Sequence, residues 1–175
     1  LYVGAADPRK NLMRLLEAYS LIDERLQKEY RLVLVGSFTE KERKKINSKL
    51  NELSISSAQI RLLGYVSDFE LNSLYQKCAL FIFPSLHEGF GLPVLEAMSS
   101  GAVVIASNIP SIKEILVYDK FLFDPSEVFL IAKKISIFLT DKKLRQESLD
   151  NSIEQVKKFT WSKTSYLANE AFDKF

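Results

Sequence analysis

The chain has 175 residues, of which 47% are hydrophobic and 26% charged, the balance of an ordinary globular domain long enough to bury its own core. A net charge of +2 gives no global electrostatic case for nucleic acid. A single cysteine, Cys78, and a single histidine, His87, exclude an internal disulfide and any cysteine-based or multi-histidine metal centre, and they fit a reducing compartment.

Leu1 to Val3 reads as a short buried strand ending in a glycine loop. A natural start normally carries Met and some lead-in, so this opening reads as part of a longer protein. Asn11 to Leu26 has apolar residues at Leu12, Leu15, Leu16, Tyr19 and Ile22, the spacing of one helical face. Arg31 to Val35 is the next strand and ends at Gly36. Thr39 to Leu53 is a charged helix, and its "EKERKK" run reads as a solvated face. Ile60 to Leu63 is a strand ending at Gly64. Ser67 or Asp68 offers a cap for a helix over Phe69 to Lys77. Ala79 to Phe83 is a continuous apolar strand, as expected when both faces are covered. Gly91 to Ser99 is a helix stopped by Gly101. Ala102 to Ala106 is a strand, Ser111 to Leu116 a short helix and Phe121 to Phe123 a last strand. Ser126 to Leu139, Asp141 to Lys157 and Trp161 to Phe172 are helices, the last capped by Thr160. The longest apolar run, Cys78 to Pro84, is far shorter than the roughly 20 residues a membrane span needs.

Strands alternating with helices predict an α/β fold: a Rossmann-like parallel sheet with helices on both faces, as one domain over residues 1–175. Gly4, Gly36, Gly64 and Gly89 each follow a strand. Ligands of such sheets sit outside the carboxyl ends of the strands, at the topological switch point.

The chemistry concentrates in "HEGFGLPVLEAMSSG", His87 to Gly101. Gly89-Phe90-Gly91 lets backbone approach a ligand closely, and the helix that follows offers free N–H groups and partial positive charge. Together these suit a diphosphate, or else simply make a tight turn. Glu96 lies four residues after Leu92 among apolar neighbours. A carboxylate buried there needs donors. Ribose hydroxyls would supply them, and so would backbone or a lysine. Glu88, at the strand's carboxyl edge, can accept hydrogen bonds from sugar hydroxyls, with His87 beside it either orienting the loop or acting as a base. In "GAADPRKN", Asp7-Pro8 reads as a turn. Arg9 and Lys10 place positive charge at the same edge, where it would neutralise a departing diphosphate. Asn11 reads as a helix cap.

At this point "SLHEGFGLPVLEAMSSGAVVIASN" resembles the signature of group 1 (family 4) retaining glycosyltransferases of the GT-B class, with Glu88 and Glu96 as its paired glutamates. "YVGAADPRKN", "LVLVG", "IRLLGYV", "LNSLYQKCALFIFPS", "FLFDPS" and the terminal "FTW" fall in the family's order. The resemblance implies the C-terminal, donor-binding half of a two-domain enzyme. It assigns Glu96 to ribose hydroxyls and Glu88 to hydroxyls of the donor sugar. Phe90, Gly91 and Leu92 would offer backbone donors to the sugar and diphosphate. Lys10 would contact the diphosphate, Val66 the base, and Gly4 and Gly89 complete the donor-binding set. The segment 161–175 would pack toward an N-terminal acceptor domain. Many members carry an arginine just after the first-strand glycine. Here that position is Ala5, which leaves Arg9, Lys10 alone, or the partner domain to supply the charge.

The resemblance further implies a nucleotide-diphospho-sugar as substrate, no metal or other cofactor, and a saccharide or lipid-linked saccharide as acceptor. It implies cytoplasmic residence, extending to the inner face of the membrane for lipid-linked acceptors. Two alternatives stay open: a nucleotide-sugar enzyme of another type on the same fold, and a non-catalytic binding domain.

Overall fold

The structure, a computed structural model, describes residues 1–172. Six strands are present among them: β1 (Tyr2–Val3), β2 (Leu32–Val35), β3 (Ile60–Gly64), β4 (Phe81–Phe83), β5 (Val104–Ser107) and β6 (Leu122–Phe123). All pairings are parallel, in two ladders ordered β1-β2-β3 and β4-β5-β6. Leu1 joins them. Its amino group donates to the Leu80 carbonyl at 2.7 Å, and the Ile82 N–H donates to the Leu1 carbonyl at 2.9 Å. That is the bonding pattern of parallel neighbours. The strand order is therefore β3-β2-β1-β4-β5-β6, the doubly wound arrangement, with its reversal between β1 and β4.

The helices are α1 (Leu12–Ser20), α2 (Glu24–Glu29), α3 (Glu40–Glu52), α4 (Asp68–Lys77), α5 (Leu92–Ser99), α6 (Pro110–Lys113), α7 (Val128–Thr140), α8 (Lys142–Val156) and α9 (Trp161–Phe172). α1 packs on α3 and α7, while α5 packs on α4 and α8. The central strands lie between these helix groups. Phe81, Phe83, Val104 and Ile105 are wholly or almost wholly buried, which is why β4 and β5 read as unbroken apolar runs. Thr39 and Ser67 open α3 and α4 with reciprocal capping boxes to Glu42 and Glu70, each cap being worth about 1 kcal/mol.

The helix expected over Asn11 to Leu26 is two helices. The apolar spacing persists because Ile22 is still buried, but the backbone turns at Leu21, which is 58% exposed. The Asp23 carboxylate accepts from the Arg25 N–H at 2.8 Å and starts α2. Gln27 Nε2 donates to the carbonyls of Tyr19, Ser20 and Ile22, satisfying groups that the end of α1 leaves open.

Polar residues line the buried side of α8: Ser148, Asn151, Ser152 and Gln155. Ser148 Oγ accepts from the Val104 N–H at 3.2 Å. α9 starts as expected, with Thr160 Oγ1 accepting from the Lys163 N–H at 3.1 Å. All its residues are exposed, Trp161 to 79% and Phe172 to 77%. Positions 173–175 of the expected terminal segment lie outside the described residues. Among those described, no helix is long and apolar enough to cross a membrane.

Candidate functional site

Because β1 and β4 are parallel neighbours, the loops that follow them open at the same edge. The loop after β1 leads to α1, and the loop after β4 leads to α5, which lies in the other helix group. The crevice between the two loops is the switch point.

Both loops are held by named bonds. The Gly4 N–H donates to the Val35 carbonyl at 2.9 Å, and the Tyr2 hydroxyl donates to the Ala5 carbonyl at 2.8 Å. Burial, then the nearby Glu88 and Asp7 charges, raise the Tyr2 phenol well above its ordinary range, so it remains a donor. Pro8–Lys10 forms a 3₁₀ turn capped by Asp7. Asn11 does not cap α1 with its side chain. It adopts a left-handed backbone, φ 57°, and its Nδ2 donates to the carbonyls of Pro84 at 3.0 Å and Pro125 at 2.7 Å. The Leu86 N–H donates to the Arg9 carbonyl at 2.7 Å. These bonds lock the β1 and β4 loops together, and Asn11 also ties them to the turn at Pro125.

Across this lock, Lys10 Nζ meets Glu88 Oε1 at 2.7 Å, with side chains 27% and 15% exposed. Lys10 Nζ also lies 5.7 Å from the centre of the Phe83 ring, within cation–π range. A shielded pair of this kind depends on both members, because removing one strands the other charge. Arg9 points elsewhere. Its guanidinium clamps Asp7 through Nε at 3.1 Å and Nη2 at 2.9 Å, on an exposed surface. That clamp pulls the Asp7 carboxyl down to about 2.

Gly91 caps α5 with φ 119°, and a Cβ there would lie 2.5 Å from Ile112 Cδ1. The fold itself therefore demands glycine at this position. Gly89 differs: it has no left-handed backbone, and a Cβ would meet nothing within 4 Å. Among the described residues, the N–H groups of Phe90, Gly91 and Leu92 donate to no protein acceptor. They stand at the positive end of α5, an arrangement suited to an anion. The Phe90 ring packs edge-on against Phe159, centroids 5.7 Å apart.

Glu96 requires a correction. The spacing led to a buried carboxylate, yet Glu96 is exposed, as is Leu92 one turn earlier. The buried side of α5 is Val94, Ala97 and Met98. Glu96 therefore has no desolvation problem for a ligand to relieve. It opens on a shallow cleft of about 260 Å³ between α4 and α5, lined by Asp68, Asn72, Tyr75 and Ser99 among others. There its Oε2 accepts from the Tyr75 hydroxyl at 3.1 Å. Val66 is half-buried beyond Gly64, in the loop that leads to α4.

The structure thus brings Lys10, Glu88, Gly89, Phe90, Gly91 and Leu92 together at one crevice. Glu96 stands farther along α5, and Arg9 is turned onto Asp7. Sequence reasoning missed Asn11 as the tie between loops, and Tyr75 as the partner of Glu96. Asp68, Leu71, Asn72 and Tyr75 recur at helical spacing, and that was the available signal for Tyr75. Among the described residues, no group of His, Cys, Asp or Glu side chains is arranged to hold a metal ion.

The fold is that of one half of a GT-B glycosyltransferase. Over residues 1–155 the chain matches the family of glycosyl transferases group 1, and it belongs to that family. It is 38% identical over 172 residues to a serotype-specific mannosyltransferase, WbdA, of Escherichia coli, covering 98% of this chain and 21% of that protein. It is 37% identical to the O-antigen chain mannosyltransferase B of Escherichia coli, covering 92% of this chain and 42% of that one. The chain therefore spans about a fifth to two fifths of the length of these relatives. Among solved structures, it resembles the C-terminal domain of the group 1 protein LpcC from Francisella tularensis, with TM-score 0.76 and 28% identity over 90% of this chain and 83% of that one. Anabaena HepE in complex with UDP and glucose shares the fold, with TM-score 0.84 and 20% identity over 99% of this chain and 48% of that one.

Proposed function

We propose that this chain is the donor-binding domain of a retaining glycosyltransferase and holds a nucleotide-diphospho-sugar across the β1/β4 crevice. The observation that carries this reading is the set of unpaired Phe90, Gly91 and Leu92 amides at the start of α5, in the same β4–α5 loop that carries Glu88, the partner of Lys10. The amides and Lys10 receive the diphosphate, and Glu88 accepts from hydroxyls of the sugar. Glu96 accepts from the ribose, and the loop carrying Val66 lies beside the base. Gly89 leaves room for the ligand to approach, and Gly4 contributes to the donor site through its backbone, since a side chain there would meet Tyr2. Arg9 contributes only if it releases Asp7.

In the reaction, the bond from the anomeric carbon to the leaving phosphate oxygen breaks, through an oxocarbenium-like state. The acceptor hydroxyl oxygen bonds to that carbon on the same face, and its proton passes to the departing phosphate. Lys10 and the amides of α5 stabilise the charge that develops on the leaving group. No metal is needed for that role. The acceptor, a saccharide or lipid-linked saccharide, binds an N-terminal domain outside this chain, and α9 packs toward that domain. The relatives named above favour activated mannose as donor and bacterial surface polysaccharide as product, made at the cytoplasmic face of the membrane.

The test is calorimetry of this chain against uridine, guanosine and adenosine diphospho-sugars. One of the panel is expected to bind without added metal. Binding of none, or binding only with a divalent cation, would overturn the reading.

A further inference from the structure

The carboxylate of Glu96 is exposed at the middle of α5, and one buried side chain reaches it. Its Oε2 accepts from the Tyr75 hydroxyl at 3.1 Å. Among the described residues, Oε1 accepts from no protein donor. Tyr75 is a rigid post. It is 2% exposed, and its ring packs edge-on against Phe81 with centroids 5.3 Å apart. Phe81 is itself fully buried in β4. A line of contact thus runs from the central sheet through Tyr75 to one oxygen of Glu96, and the other oxygen, without a protein donor among the described residues, belongs to a residue that lines the cleft between α4 and α5.

We infer that Tyr75 is a positioning residue, fixing the Glu96 carboxylate so that its second oxygen is presented to the ribose hydroxyls of the donor nucleotide. This rests on the assignment of Glu96 to the ribose. An unheld glutamate would lose side-chain freedom on binding and so weaken the complex. The buried hydroxyl orders it beforehand. Burial, together with the Glu96 charge, pushes the Tyr75 phenol far above its ordinary range, so the group donates at every working pH. A shorter or acidic side chain on α4 could not do this.

The test is the affinity of the chain for UDP, GDP and ADP, and for the 2′,3′-dideoxy form of whichever binds most tightly. It is measured by calorimetry on wild type, Tyr75→Phe, Glu96→Ala and the double variant. Tyr75→Phe keeps the ring and its contact with Phe81, so the melting temperature is expected to stay close to wild type. Its Kd for the ribonucleotide should rise about three- to ten-fold, the loss of one hydrogen bond, with the dideoxy Kd unchanged and the double variant no weaker than Glu96→Ala. If Glu96→Ala weakens binding and Tyr75→Phe does not, Tyr75 is only a core residue and the inference fails. If Tyr75→Phe weakens ribo and dideoxy ligands equally, the effect is general and the inference fails. If Glu96→Ala changes nothing, the ribose assignment itself is wrong.

Discussion

The two glycines that open the crevice carry opposite expectations when each is replaced by alanine. At Gly91 the backbone has φ 119°, and the added Cβ falls 2.5 Å from Ile112 Cδ1 and 3.3 Å from Ile115 Cδ1, both side chains being fully buried. Forcing an L-residue into that backbone region costs about 1–3 kcal/mol, and overpacking a dense site costs about 1–3 kcal/mol more. Gly91→Ala should therefore lose about 2–6 kcal/mol. For a domain of this size, that lowers Tm by at least about 4 °C. At Gly89 the same methyl meets nothing within 4 Å and the backbone needs no left-handed region. Gly89→Ala should keep its stability or gain up to about 1 kcal/mol through the unfolded chain, while losing affinity for the diphospho-sugar because the methyl intrudes on the crevice. Urea unfolding with an unchanged m-value, read beside calorimetry, separates the two. A Gly91→Ala variant as stable as wild type, or a Gly89→Ala variant that unfolds early, would refute the reasoning.

Glu96→Ala should weaken nucleoside diphosphate binding by about 1–3 kcal/mol, the cost of losing hydrogen bonds to a charged group, as read by calorimetry. Glu88→Ala should abolish sugar transfer by the full-length enzyme, in a product assay, without lowering the affinity for free nucleoside diphosphate, because Lys10 is released from its ion pair. The Asp7 carboxyl, held low by Arg9, should titrate at about 2 when followed by carbon NMR. Because the folded value lies below the unfolded one, its contribution is present above about pH 4 and is lost as pH falls toward 2; a midpoint near 4 would show that the Arg9 clamp is absent in solution. Chelator should leave donor binding unchanged in calorimetry.

The apolar runs of β4 and β5 were legible because helices cover both faces of the central strands, and the capped starts of α4 and α9 because one short polar side chain decides each. The crevice itself was legible because Gly89-Phe90-Gly91 and Lys10 fall just past two strands that the alternation makes parallel. Three things were not. The break between α1 and α2 hides behind an apolar spacing that runs through it, and a glutamine from the second helix heals it. The seating of α8 is polar, so no hydrophobic pattern marks its buried side. The setting of Glu96 was misread because its apolar neighbours in sequence fall on different sides of α5. Only the helix's rotation against β5 and α8 determines which side is buried. Asn11 has the residue type and the position of a cap, but its backbone is left-handed and its Oδ1 accepts from Arg14 Nη1 while its Nδ2 donates to the carbonyls of Pro84 and Pro125.

The most direct test is an amide NMR titration of the chain with the diphospho-sugar that binds most tightly in the calorimetric panel. The largest shifts are expected at the Phe90, Gly91 and Leu92 amides, with smaller ones at Lys10, Glu96 and Val66. Saturable binding whose shifts fall elsewhere, with those three amides unmoved, would contradict the donor assignment.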